Sequence, residues 1–176
     1  MRTMVTLVLV ATIAAPAFAQ PAANPISDGI RTQWNAVKRN IQQSAELMPD
    51  ATFDYRPVDG VRSFSEILAH VAGASYAMCA AAKDEKTPFA EDYFEKNAKG
   101  RAAIAKATTE AIAYCDAAFT ALTDANAGQM VPNPLGDGQR TRTSVLVLQI
   151  GHDNEHYGNL VTYFRMNGIV PPSSRR

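Results

Sequence analysis

Four long stretches of the chain place apolar residues three and four positions apart, and segments rich in Pro, Gly and charge separate them. That period keeps one face of an α-helix apolar, so four amphipathic helices are expected. The first runs from about Ser27 to Met48, with Ile30, Trp34, Val37, Ile41, Ala45 and Met48 on one stripe. Pro49-Asp50 ends it, and Tyr55–Arg62 reads as a turn-rich crossover. The second opens on Ser63-Phe64-Ser65-Glu66, a capping box in which Ser63 and Glu66 satisfy first-turn N–H groups reciprocally. It continues through Ile67, Leu68, Val71 and Met78 to about Ala82.

Lys83–Lys99 is charged and contains Pro88, which predicts a solvated connection holding a loop and one helical turn. The third helix runs from about Ala98 to Ala125 and buries Ile104, Thr108, Ala111, Ile112, Cys115, Phe119 and Leu122. Gly128–Arg142 carries too much Pro and Gly for a helix interior. The fourth helix starts near Thr143 and shows Val145, Leu148, His152, His156, Leu160 and Tyr163 on one face. Gly168 stands where a C′ residue belongs, and Pro171-Pro172 stop any continuation. No stretch shows sustained strand-type alternation. The expected fold class is therefore all-α, a four-helix bundle with long crossover loops.

One apolar stretch does not belong to the bundle. Arg2 followed by Met4–Ala15 and the small-x-small triplet Ala17-Phe18-Ala19 has the layout of a secretory signal peptide. The stretch is shorter than the roughly 18–20 residues of a spanning helix, and no Cys follows it for lipid attachment. Residues 1–19 are thus expected to be cleaved, leaving 20–176 as a single periplasmic or secreted domain with no stable membrane insertion. Such a compartment permits disulfides. If the second and third helices are antiparallel neighbours, however, Cys79 and Cys115 lie roughly 20–30 Å apart. Two buried free thiols are the expectation.

The chain has 176 residues, with 17 basic and 17 acidic side chains. Loss of Arg2 with the leader leaves a net charge of about −1 at neutral pH. That balance lacks the basic footprint of a nucleic-acid binder, and 47% hydrophobic content argues against disorder. Nucleic acid is therefore not an expected partner. There is no Cys-x-x-Cys, no Gly-rich phosphate loop and no Ser/His/Asp signature.

The candidate chemistry lies in the three histidines of the chain. His152 and His156, four residues apart, leave one helix face a turn apart. His70 sits on the inner side of the second helix, at a depth matching the pair if the second and fourth helices run parallel. Three neutral imidazoles around one point, without a fourth protein donor, describe a divalent metal site with open positions. Such an ion lowers the pKa of a bound water towards 7. Ordinary hydrogen-bonded core histidines are the alternative.

The run FDYRPVDGVRSFSEILAHVA (53–72) and the run GHDNEHYGNLVTYFRMNGIVPP (151–172) resemble the DinB-like superfamily of damage-inducible four-helix proteins. The resemblance extends in element order over nearly all of 20–176. It implies a divalent metal held by a second-helix His and the fourth-helix pair, which here are His70, His152 and His156. Zinc or nickel suit three imidazoles best, with iron, copper and manganese as further choices. Some members of the family are metal-dependent transferases or isomerases using low-molecular-weight thiols. Export takes this chain out of the reducing cytosol where such thiols are kept. The resemblance also implies a homodimer.

Two functional readings follow. One is a metal-dependent transferase or hydrolase acting on a small molecule. The other is a non-catalytic metal-binding or stress-response module. No catalytic residue is singled out. Asp153, Asn154 and Glu155 lie between the two fourth-helix histidines; Glu155 points about 100° from His156 and reads as solvated, with an acid/base or ligand-supporting role as the alternative. Asn159, at i+3 from His156, is placed to line a pocket. Glu66 is within reach of His70, but its capping role explains it. Arg56, Arg62, Arg140 and Arg142 occupy two connections that a parallel arrangement brings to one end, where they suit either an anionic substrate or solubilising and loop-pinning roles. Gly158 is expected to permit close helix packing, and Tyr157 and Tyr163 to satisfy core hydroxyls.

Overall fold

A computed structural model describes residues 24–175; the expected signal peptide and its cleavage site lie outside them. Helix α1 spans Pro25–Leu47, α2 Phe64–Lys83, α4 Gly100–Ala121 and α5 Arg142–Met166. A five-residue helix, α3 (Tyr93–Asn97), interrupts the connection between α2 and α4. The Pro/Gly-rich segment before α5 forms a small antiparallel hairpin, β1 (Met130–Pro132) with β2 (Gln139–Thr141). Three-residue strands are too short to leave an alternating pattern, which is why the sequence does not announce them.

Local signals act where expected. Ser63 and Glu66 complete the capping box of α2. Gly168, at φ +71°, follows the last turn of α5, and the Ile169 N–H closes back on the Phe164 carbonyl. The start of α1 is capped from a distance. Asp124, in the loop after α4, accepts hydrogen bonds from the N–H groups of Ile26 and Ser27 and from the Ser27 hydroxyl. These bonds hold the Asp124 carboxyl below the usual range.

The packing is a square in which α1 and α2 each contact both α4 and α5. Trp34 of α1 stacks on Phe119 of α4 at 4.4 Å, while Arg101 at the start of α4 donates to the Ala45 carbonyl near the end of α1. Those two helices are antiparallel. Helices α2 and α5 are antiparallel as well, since Phe64 faces Phe164 and Ser75 faces Gln149.

Helices α2 and α4, by contrast, run parallel. Residues 84–99 turn back at Asp84, in the left-handed region at φ 60°, and retrace the length of α2. Sixteen extended residues reach further than the roughly 25 Å needed to do so. Gly73 lets the Glu91 backbone press against α2, because a Cβ there would collide with the Glu91 carbonyl. Tyr76 packs against Phe89 and Phe94. Helix α4 then restarts beside the beginning of α2.

This topology overturns two expectations. Cys79 and Cys115 each stand fifteen residues past the first residue of their helix, so parallel helices place them level. They form a disulfide, with Cα atoms 5.2 Å apart. They are not free thiols, because the antiparallel hairpin that would have separated them does not exist. Nor do the second and fourth bundle helices, α2 and α5, run parallel. The two connections carrying arginines consequently lie at opposite ends of the bundle. Among the described residues, no helix is long and apolar enough to cross a membrane.

Candidate metal centre

The fully buried residues of α5 include Val145, Leu146, Gln149, Asp153, Leu160 and Phe164. Leu148, His152 and His156 are half-buried at the flank of that stripe, rotated from the position expected for them. The flank of α5 meets the N-terminal third of α2, where His70 is 8% exposed. Antiparallel pairing brings the three histidines level just as a parallel pair would, because His70 faces the gap between His152 and His156.

The three rings turn their Nε2 atoms to one point. His152 Nε2 is 3.2 Å from that of His70 and 3.2 Å from that of His156. All three candidate ligand atoms lie within 4.8 Å of one another. Tetrahedral zinc with Zn–N near 2.0–2.1 Å would separate its ligand nitrogens by about 3.3 Å.

The partners on the far side of the rings decide what these nitrogens can do. His70 Nδ1 is 3.0 Å from Glu95 Oε1. A carboxylate only accepts, so the proton lies on Nδ1 and the Nε2 lone pair faces the other rings. His152 Nδ1 faces Asp153 Oδ1 at 3.5 Å. A single donated proton cannot satisfy three converging nitrogens, whereas a cation at their centre satisfies all of them. The residues therefore fit a divalent metal.

Electrostatics favour the neutral ligand form of the rings. Burial pushes the His70 pKa down, helped by the charges of Arg62 and His152. His156 is lowered to about 4, first by burial and then by His152, His70 and Arg62.

Two carboxylates support the site that sequence reasoning missed. Glu95 comes from α3, in a segment expected to be a solvated connection. Arg62 donates to it through Nε at 2.9 Å and through Nη2 at 3.4 Å. The available signal was α2 itself, in which 17 of 20 residues are buried. A helix apolar all round must be covered on more sides than one bundle neighbour provides. The second is Asp153, between the two α5 histidines in sequence and 0% exposed here. Its Oδ2 accepts from Gln149 Nε2 at 2.9 Å, and the same amide nitrogen lies 2.9 Å from Ser75 Oγ. Burial raises the Asp153 pKa, against the opposing pull of His152 and Gln149.

The other candidates divide. Glu155 is exposed, as expected, and Glu66 serves the cap and pairs with Arg56. Asn159 lines a cavity of about 150 Å³ beside His156, together with Val61, Arg62, Ile67 and Tyr163. Arg62 is thus at the site. Arg142 begins α5, ten residues and about 15 Å of helix before His152, and Arg140 lies further away in the hairpin. Tyr163 donates to the Arg62 carbonyl, and the Tyr157 hydroxyl accepts from the Ser173 N–H. Gly158 does not serve close packing: a Cβ there would meet nothing within 4 Å.

Solved structures share this fold. A DinB-like protein from Bacillus cereus ATCC 10987 aligns over 82% of this chain and 95% of its own, at 16% identity and a TM-score of 0.64. YfiT from Bacillus subtilis, described as a probable metal-dependent hydrolase with an unusual four-helix bundle topology, aligns over 90% and 94%, at 16% identity and TM-score 0.62. A mycothiol-dependent maleylpyruvate isomerase aligns over 76% of this chain but 60% of its own, at 18% identity and TM-score 0.62. Among curated proteins no sequence match is found. The sequence profile of the DinB superfamily matches residues 33–160, a span that takes in all three histidines. The chain belongs to the DinB superfamily.

Proposed function

We propose that this protein is exported, holds one divalent metal ion through His70, His152 and His156, and uses it on a small molecule. The convergence of three imidazole Nε2 atoms carries the reading. Zinc or nickel suits this all-nitrogen set. A bound ion would supply Lewis acidity, polarising a small electrophile and acidifying a coordinated nucleophile.

The chain's own residues prepare the site for this. Glu95 holds the His70 proton on Nδ1, and Asp153 backs His152. Buried surroundings keep His70 and His156 neutral near pH 7. The cavity beside His156 supports action on a ligand over a purely structural ion, because it leaves space next to the ligand set. Export draws support from the leader-like N-terminal pattern and from a disulfide, which persists in oxidising compartments.

Elemental analysis tests the metal. Tag-free protein prepared without chelator should carry about one equivalent of a transition metal, and a His152→Ala/His156→Ala variant should carry none. Absence of metal from the wild type, with no micromolar uptake of added zinc or nickel, would end this reading. N-terminal sequencing of protein recovered outside the cytoplasm tests export; the expected new terminus is Gln20.

A further inference from the structure

The cavity beside His156 has a composition that points to one class of ligand. Its volume of about 150 Å³ is below the roughly 300–1,000 Å³ of sites for drug-sized molecules, so it suits a body of few heavy atoms. Val61 and Ile67 give it apolar walls, while Asn159 and Tyr163 add polar edges. No carboxylate lines it, and its one permanently charged lining group is the Arg62 guanidinium.

Arg62 is held in a particular way. Its Nε and Nη2 engage the two oxygens of Glu95, which His70 Nδ1 contacts at 3.0 Å. Nη1 has no hydrogen-bond partner among the described residues, so the Nη1–Nη2 edge of the fork remains available. That edge matches a carboxylate with two parallel N–H···O bonds. A guanidinium already oriented by Glu95 loses little rotamer freedom when it closes on a ligand. The Arg62 charge also reaches into the histidine cluster, since it lowers the affinity of both His70 and His156 for protons.

We propose that this cavity binds a small organic monocarboxylate with a short apolar body, and that Arg62 grips its carboxylate. This deepens the metal-centre reading and rests on it only for what the ligand meets beyond the cavity. The apolar walls select against inorganic anions, and the cation against the neutral amide of the same shape.

The test is a ¹H–¹⁵N NMR titration of the protein with butyrate and, separately, with butyramide. It is run on protein whose zinc content has been measured and on metal-free protein. In both forms butyrate should shift the signals of Arg62 and Asn159 and bind at least tenfold more tightly than butyramide. Arg62→Gln should reduce that preference at least tenfold, and Arg62→Lys, which keeps the charge but not the fork, by less. Equal binding of acid and amide would overturn the proposal, as would butyrate binding untouched in Arg62→Gln or shifts confined to the histidines. Failure to take up zinc overturns the metal reading separately; Arg62-dependent preference in the metal-free titration still decides this one.

Discussion

Helix α2 has two bundle neighbours, and its two interfaces are built on opposite principles. Against α4 it presents small and apolar side chains, and Cys79 joins Cys115 at the same level. The returning segment adds Phe89 and Phe94 around Tyr76. Against α5 the same helix presents His70 and Ser75 to His152, His156, Gln149 and Asp153. Buried polar groups cost stability unless each is partnered, so this interface gives up packing to hold His70 and the Asp153 carboxylate out of water and the other two imidazoles half-buried. The covalent and apolar side compensates for the polar side. One rigid helix can then carry ligands without the bundle parting at the site.

That contrast can be broken from either side. The largest effect should come from the sulfur link, which closes a loop across a sequence separation of 36. Replacing both cysteines with alanine should lower stability by about 2–4 kcal/mol, read as a shift in urea midpoint at unchanged slope. Metal content should survive at saturating zinc, because the histidines lie on the other interface. Loss of metal along with the disulfide would show that the two interfaces are not separable.

Next in size is Gly73→Ala. The added methyl meets the Glu91 carbonyl, and overpacking of this kind costs about 1–3 kcal/mol. Displacing the returning segment also moves Glu95, so zinc affinity should fall together with stability. Glu95→Gln addresses the polar side alone. Loss of a carboxylate behind a metal-binding histidine weakens affinity about 10–100-fold, measured by competition with a chromophoric chelator. An unchanged affinity would mean that a neutral amide oxygen serves His70 Nδ1 as well as a carboxylate does.

The pH response of the metal-free protein should come from the polar interface. His70 and His156 have folded-state pKa values below the ordinary 6.5, His156 at about 4. The unfolded chain therefore takes up protons first as pH falls. Their contribution is complete above about pH 6.5 and is lost as pH drops towards 4. Chemical denaturation at a series of pH values should show the decline, and His70→Gln/His156→Gln should flatten it. The smallest effect is expected at Gly158→Ala, where a Cβ meets nothing. Helix propensity alone should add about 0.5–1 kcal/mol there, visible as a small rise in Tm.

Much of this molecule is written locally. The capping box at Ser63-Glu66, the terminator at Gly168 and the apolar stripes of α1 and α4 depend on residues within a turn or two of one another. So does the i, i+4 spacing of His152 and His156. Period and propensity make such features readable from the chain, and with them the all-α bundle and the three histidines as candidate ligands. What the chain alone did not determine was direction. An antiparallel hairpin and a parallel return both satisfy the same amphipathic stripes. The choice depends on long-range contacts: Gly73 against Glu91, Tyr76 against Phe89, and Glu95 beneath His70. That choice paired the cysteines, sent the two arginine-bearing connections to opposite ends and brought Glu95 to the histidine cluster. Burial of Asp153 was likewise a tertiary outcome, because a small rotation of α5 exchanges a core position for a solvated one. Local hydrogen bonding specifies where helices begin and end; only the packing of distant segments decides which of their faces meet.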